Sequence, residues 1–406
     1  MAKQGAVTAM PRLRFPEFRG AGAWSEAKLD SLIDTVSPPA KLPSSSYLAT
    51  GKFPIIDQSQ DAICGWTDDP QVVIEKPLPL IVFGDHTCVL KFVARPFAQG
   101  ADGIKILAAK PTISIDYLFH SLNHQPLVME DYKRHFSTLK ERKVFFPSVE
   151  SGEQQKIADC LTSLDEVIAA QRRKVEALKA HKRGLMQQLF PREDETRPRL
   201  RFPEFQDAPE WVIGKAGDVV EVLQGYGFPE RLQGSKEGEF PFYKVSDISA
   251  CVDAGGMLLS DAKNHIDAEV LRELRAKPLP VGTTVFAKIG EAIRSNKRAI
   301  TTKLSLVDNN AAGVKAIEGV ADDYFVYYLW SQLRLIEYSG GVVPAVNKSA
   351  IEQIQVCYPG IEEQQRIAAC LYSLDTNIAV ASNHLLNLRS HKQGLMQGLF
   401  PMASGE

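Results

Sequence analysis

The sequence predicts an α+β protein built by internal duplication, with two dissimilar α/β domains each followed by one long helix. Three observations carry this. An eight-residue motif occurs twice, a helix-forming segment of 39 residues occurs twice, and the stretches between them share no visible similarity. Two similar frames hold two dissimilar inserts.

The motif stands first in the chain. Pro11-Arg12-Leu13-Arg14-Phe15-Pro16-Glu17-Phe18 recurs unchanged as Pro198-Arg199-Leu200-Arg201-Phe202-Pro203-Glu204-Phe205, an offset of 187 (11 to 198), and Trp24 recurs as Trp211 at that offset. Residues 19–150 follow. Their apolar runs (Phe53–Ile56, Gln71–Ile74, Leu80–Phe83, Cys88–Val93, Gly103–Leu107) are cut by proline and glycine, which suits strands of a mixed sheet. Helices are expected at Asp116–Leu122 and Asp131–Leu139.

Residues 153–191 and 363–401 align without gaps at an offset of 210 (153 to 363), with 22 of 39 positions identical. Ile157, Leu161, Leu164, Ile168, Gln171, Val175, Leu178, Lys182, Leu185 and Leu189 alternate spacings of four and three. Ile367, Leu371, Leu374, Ile378, Ala381, Leu385, Leu388, Lys392, Leu395 and Leu399 do the same. That is the heptad seam of a coiled coil. A helix packed only on its neighbouring domain shows a wider apolar face, so the partner of each stripe is the other stripe. Ser151 and Gln154 have the spacing of a capping box, and Pro191 and Pro401 stop both helices at the same point of the repeat. At ~1.5 Å per residue such a helix spans roughly 55 Å.

After Pro191 comes the charged linker Arg192–Arg197, then the motif. The second helix has no motif after it, and the remaining copy lies at 11–18. Pro11–Phe18 should therefore dock beside the end of the second helix, as 198–205 does beside the first. Residues 206–358 form the second insert. Strands are expected at Val219–Leu223, Phe240–Val245, Thr284–Ile289 and Lys303–Val307, and helices at Ala268–Arg275 and Asp323–Glu337. The chain thus divides into 1–18, 19–150, 151–191, 192–205, 206–358, 359–401 and a tail, 402–406.

Composition excludes several classes. Hydrophobic residues make up 44% and charged residues 24%, as in globular proteins, and the net charge is −2 from 47 basic and 49 acidic residues. A nucleic-acid partner would need the basic charge segregated on one face. Met1–Met10 has no apolar core of a signal peptide, and no apolar run reaches the roughly 18–20 residues of a membrane span. Six scattered cysteines indicate neither a disulfide framework nor a zinc cluster, and a reducing cytoplasm is expected.

Catalytic chemistry is hard to find. There is no phosphate loop of the GxxxxGK[ST] type, and Gly225-Tyr226-Gly227 has only two glycines of a dinucleotide loop. The tetrad of a DNA amino-methyltransferase has its nearest match in Ser37-Pro38-Pro39-Ala40, which lacks the polar start and the aromatic end. Asp131…Glu141-Arg142-Lys143 has nuclease-like spacing of a very common kind, read as surface. His120 and His124 lack a third ligand and are read as packed or capping histidines. Cys160 and Cys370, equivalent in the repeat, flank the seam. Two runs are basic: Arg172–Arg183, and Lys288–Lys303 with Lys288, Arg294, Lys297, Arg298 and Lys303 against Glu291.

The motif, the variable domain and the helix running from EQQ-[KR]-IA-x-CL-x-SLD to GLMQ-x-LFP, all present twice, resemble the specificity (S, HsdS-type) subunit of type I restriction–modification systems over roughly 11–401. Family-like elements also occur at Gly84-Asp85-His86-Thr87, Gly100-Ala101-Asp102-Gly103, Phe240–Ile248 and Pro280-Val281-Gly282-Thr283. The resemblance implies a non-catalytic subunit without cofactor or metal of its own. Residues 19–150 and 206–358 would be target-recognition domains, each reading one half of an asymmetric bipartite site in double-stranded DNA. The long helices would form an antiparallel coiled coil with pseudo-twofold symmetry that sets the unread spacer and docks two methyltransferase subunits. Those partners would use S-adenosylmethionine, and up to two restriction subunits with ATP and magnesium could join. The competing reading is a coiled-coil scaffold or decoy that binds such subunits and reads no DNA; salt-sensitive binding to a bipartite duplex separates the two.

DNA contacts are expected from polar and cationic groups in or beside loops. In the first domain these are His86, Lys91, Arg134, His135 and Lys140. In the second they are Tyr243, Lys244, Lys288, Arg294, Asn296, Lys297, Arg298 and Asn347. The lysines would hold phosphates, with Arg294 or Asn296 reading base edges.

Overall fold

The computed structural model describes residues 10–101, 103–130 and 133–401. Asp102 of the Gly100–Gly103 element, Asp131 at the start of an expected helix, residues 1–9 and the tail 402–406 lie outside the described residues. The chain divides into two compact units, residues 1–171 with 384–406 and residues 172–383. Each unit holds one α/β domain and a segment of both long helices.

In the first unit, β1 (Ser25–Lys28), α1 (Leu29–Leu32) and β2 (Ile33–Val36) lead into β3 (Phe53–Ile56), β4 (Gly65–Thr67), β5 (Val73–Ile74), β6 (Leu80–Gly84), β7 (Leu90–Val93), β8 (Phe97–Gln99) and β9 (Ile104–Ala109). Helices α2 (Ile115–His124) and α3 (Phe136–Lys140), then β10 (Lys143–Phe146), complete the domain. β2-β9-β6-β7 form an antiparallel sheet, with Ile81 opposite Leu107, and β4-β3-β8-β5 form a mixed one in which β3 and β8 run parallel. β6 is buried along its whole length, which is why it reads as a continuous apolar run. β1 pairs with β10 and so brings the ends of the domain together.

After the long helix α4 (Glu153–Leu189) the second unit repeats this plan. Its elements are β11 (Val212–Lys215), α5 (Ala216–Val219), β12 (Val220–Gln224), β13 (Phe240–Tyr243), α6 (Val245–Asp253), β14 (Leu258–Leu259), β15 (His265–Ile266), α7 (Ala268–Glu273), β16 (Thr284–Ala287), β17 (Arg298–Thr301), β18 (Leu306–Val307), β19 (Ala311–Ala316), α8 (Asp323–Gln332), α9 (Lys348–Glu352) and β20 (Gln355–Tyr358). The order β12-β19-β16-β17-β14 matches β2-β9-β6-β7 with one strand added, and β15-β13-β18 matches β4-β3-β8. The inserts are dissimilar in sequence and alike in topology.

Several expected elements change here. Phe240–Val245 is a strand only to Tyr243, because the Asp247 carboxylate accepts the Lys244 N–H at 2.8 Å and starts α6. Asp323–Glu337 breaks after Gln332 into a separate 3-10 turn, Leu335–Tyr338. Arg298–Thr301, inside the basic run, is a fully buried strand.

The last long helix, α10 (Ile361–Leu399), and α4 bury or half-bury every seam position. In the first unit Lys392 binds Asp165, while Met396 and Leu399 share a core with Ile157 and Leu161. In the second, Lys182 binds Asp375, while Leu189 shares a core with Ile367 and Leu371. Rising numbers on one helix meet falling numbers on the other, so in each unit the segments pack antiparallel.

The main bonds of the frame occur twice. Leu13 N–H donates to Gly398 O at 2.8 Å, and Leu200 N–H to Gln188 O at 2.9 Å. Arg14 pairs with Glu153 through two 2.6 Å bonds, and Arg201 with Glu363 at 2.8 and 2.6 Å. Lys156 lies over Phe15, and Arg366 over Phe202. Trp24, Tyr117 and Phe400 cluster in one unit, as Trp211, Phe325 and Phe190 do in the other. The motif at 11–18 docks beside the end of α10, as the circular order of the repeat requires. The expected capping box is replaced: Ser151 Oγ caps the Glu153 N–H, but Gln154 turns to the domain, accepting from Ser114 N–H at 2.7 Å and donating to Pro147 O. Gln364 makes the same bridge between Asp322 and Pro359. Both glutamines thereby tie a long helix to the start of α2 or α8.

Candidate nucleic-acid interface

The residues expected to touch DNA fall into three groups. The first is buried. His135 is 2% exposed, with its N–H on the Asp85 carbonyl at 2.8 Å and on the Asp85 carboxylate at 2.9 Å, so it anchors the start of α3. Tyr243 is fully buried in β13 and donates its hydroxyl to Leu259 O at 3.3 Å. Arg298 is 3% exposed: its guanidinium lies over Phe286 and donates to Lys297 O, Asn296 Oδ1 and Leu333 O. Burial pulls its pKa down to about 10. His135 is held inside the first domain and Tyr243 and Arg298 inside the second, which corrects their expected role on DNA.

The second group is half-buried and engaged inside its own domain. Lys91 donates to Asp61 O and stands 3.8 Å from Asp57; burial pushes its pKa down, against the pull of Asp57. Lys140 pairs with Asp30 at 2.7 Å, Lys297 with Asp253 at 2.6 Å, and Lys244 with Gln233. Asn296 takes a left-handed backbone (φ +51°) and orients Arg298, so its side-chain oxygen is committed to that guanidinium. Lys288 donates to Gln224 Oε1 at 2.5 Å; burial lowers its pKa, opposed by Asp308. His86, in the turn after β6, is also half-buried.

The third group is exposed: Arg134 before α3, Arg294 in the 3-10 turn Glu291–Ser295, and Asn347. Arg294 meets Glu291 at 2.9 Å, and Asn347 caps α9 through the Ala350 N–H. The structure brings Lys288 and Asn347 into one cleft of about 660 Å³, lined also by Gln224, Tyr338, Gly340 and Lys348. Sequence reasoning missed Gln224, Tyr338 and the 338–346 loop. Its signal was the turn dipeptide Gly340-Gly341 before Val342-Val343, an apolar pair that Pro344 cuts too short for a strand.

Other sequence features also find their places. Gly225 is required by packing: a Cβ there would stand 1.9 Å from Asp308 O. His120 meets Thr162 Oγ1 at 3.0 Å, and His124 stacks on Phe400. Glu141 pairs with Lys28, and Lys143 with Glu26. Within the basic run on α4, Lys182 is taken by Asp375, and Arg172, Arg173, Lys174 and Arg183 are exposed. Among the described residues no helix is long and apolar enough to cross a membrane.

Residues 209–388, from the approach to β11 into α10, match the family model described as Type I restriction modification DNA specificity domain. The second α/β domain, with the first part of α10, is thus similar to a type I specificity domain. Two curated relatives from Methanocaldococcus jannaschii carry that description in their names. The chain is 27% identical over 267 residues to a protein provisionally named the type I restriction enzyme MjaX specificity subunit, covering 64% of this chain and 58% of the relative. It is 24% identical over 272 residues to the MjaIX specificity subunit, covering 65% and 61%. The matches thus span less than two thirds of either relative. Among solved structures, the S subunit of a type I restriction–modification system from M. genitalium aligns with a TM-score of 0.68 at 16% identity, covering 97% of this chain and 100% of that one. A chain from a study of complex assembly and conformational transition in a type I system aligns at 0.51 and 13% identity, covering 93% and 97%. The likeness to both is one of fold. The family model stops short of the first α/β domain, yet that domain shares seven strands of its topology with the matched one, differing by β14 in one and β5 in the other.

Proposed function

We propose that this chain is the DNA-reading, non-catalytic subunit of a cytoplasmic type I restriction–modification complex. Residues 19–150 read one half of a bipartite target and residues 206–358 the other, and the helix pair sets the unread spacer. Two methyltransferase subunits dock on the repeated frame and bring S-adenosylmethionine; restriction subunits that use ATP and magnesium join them. The observation that carries this reading is the contrast within the molecule. Frame residues are repeated with the same bonds, whereas two domains of one topology carry different loops. A frame that is the same twice suits one partner bound twice, and loops that differ suit an asymmetric DNA sequence.

The test is selection from random-sequence duplexes by the full chain assembled with methyltransferase subunits, read at two salt concentrations. The expected result is a bipartite, asymmetric sequence with a fixed spacer, bound less tightly as salt rises. Assembly with those subunits but no selected sequence, at either salt concentration, would overturn the proposal in favour of a scaffold.

A further inference from the structure

Each α/β domain follows its equivalent helix, α2 or α8, with a loop that holds apolar side chains in solvent. After α2, Val128 and Met129 are 76% and 54% exposed; after α8, Val342 and Val343 are 105% and 60% exposed. Paired exposure of large apolar groups on a protein surface marks a binding site more often than a lone exposed residue does. The second loop is a built hairpin: Gly340 and Ala345 exchange N–H···O bonds at 3.1 and 3.2 Å, and Gly341 has φ +91°. The Gly290 N–H donates to Pro344 O at 2.8 Å and pins the tip beside Lys288. The valines are therefore presented by an ordered backbone.

Two arguments identify what they meet. A partner that docks twice should find the same residues twice, as the exposed and identical Arg12 and Arg199 or Leu13 and Leu200 would offer. The loops are at equivalent places and differ, Leu127-Val128-Met129-Glu130 against Gly341-Val342-Val343-Pro344, so their ligand differs between the halves. Cations stand beside both loops: after the first, Lys133 pairs with Glu130 and Arg134 is exposed, and Lys288 with Asn347 lines the cleft against the second. The apolar feature that a polyanionic duplex offers in its major groove is the C5-methyl of thymine. We infer that Val342 with Val343, and Val128 with Met129, read thymine methyl groups, one pair in each half of the target. The inference rests on the DNA-reading function proposed above.

Deoxyuridine tests this, because it removes the methyl and leaves base pairing unchanged. The target selected by the assembled complex is remade with uracil for thymine, one position at a time. Uracil at one or two positions of a half-site should weaken binding about fourfold each, the value of one buried carbon. The pair Val342→Ser and Val343→Ser should abolish that dependence in one half-site and leave the other intact, and Val128→Ser with Met129→Gln should do the converse. Unchanged melting temperatures establish that the variants are folded. A half-site without thymine, wild-type binding indifferent to uracil, or a uracil effect that persists in the variants would overturn the inference while leaving DNA reading in place. Failure to select any sequence would overturn both. Loss of methyltransferase binding with unchanged DNA recognition would assign the loops to protein docking and overturn the inference too.

Discussion

In the first unit Lys392 grips both oxygens of Asp165 at 2.6 Å, and the imidazole of His120 stands 4.0 Å from the same carboxylate. In the second, Lys182 grips Asp375 at 2.6 and 2.7 Å, and Tyr328 donates its hydroxyl to it at 2.7 Å. The lysine and aspartate belong to the repeated helices, while the third group comes from α2 or α8. A cation in an apolar seam costs stability and fixes register, since only one alignment gives it a partner. The lesson is a division of labour: the frame defines the register twice in the same way, and each variable domain supports it with whatever side chain its own helix presents.

The strongest way to break the comparison is at the motif. Arg201 bonds Glu363 twice and also holds Ala208 O and Pro209 O, whereas Arg14 bonds Glu153 twice and Ala21 O. Removing either arginine strands a buried carboxylate, so Arg201→Ala and Arg14→Ala should each cost about 3–5 kcal/mol. Arg201→Ala should cost more, because one further carbonyl loses its donor. Denaturant unfolding measures both, and a loss below about 1 kcal/mol for either would show that its ion pair does not secure the motif.

Next in size is Arg298. Arg298→Ala leaves three acceptors without a donor inside the second unit and should cost roughly 2–3 kcal/mol. Arg294→Ala should change stability by less than about 0.5 kcal/mol but reduce the salt dependence of DNA binding by about one charge. Interchanged results would return Arg298 to the DNA surface. These neighbours also show how far the sequence could be read. The frame was legible because identity and heptad spacing are local, and expectation and structure agree on the long helices to within a residue or two. The sheets were not legible, because β2 pairs with β9 some 70 residues away and nothing local encodes that register. Arg298 was misread for a related reason. A guanidinium in a run of cations looks solvated until a strand carries it over Phe286 and gives it three acceptors.

The supporting side chains predict a pH difference between the units. Burial, with Lys392 adding to it and Asp165 opposing, lowers the His120 pKa to about 4 from the usual 6.5. A folded pKa below the unfolded one means that the unfolded chain takes the proton first. The stability held above pH 6.5 is therefore lost as pH falls toward 4, by about 2 kcal/mol between pH 6.5 and 5. Tyr328 stands in the equivalent place and takes up no proton in that range. His120→Gln should flatten the slope between pH 7 and 5 in denaturant titrations. An unchanged slope would place the acid sensitivity elsewhere.

The smallest expected effect is the most informative about the duplication. In the second unit the motif is joined to its helix by Arg192–Arg197, whereas in the first the same backbone bond, Leu13 to Gly398, closes without a covalent link. A permuted chain can exchange the two situations: Pro401 is joined to Pro11 through a copy of Arg192–Arg197, and the chain is opened between Glu193 and Asp194. The loop closed in one unit equals the loop opened in the other, so the closure entropies cancel. The opening lies outside the Thr196–Trp211 bond and the Arg197–Gln206 bond, and it leaves both in place. The permutant should fold with stability within about 1 kcal/mol of the parent and assemble with the same partners. A loss of several kcal/mol, with the new linker shown intact by mass, would mean that the two motif–helix junctions are not equivalent and that the duplication ends at the sequence.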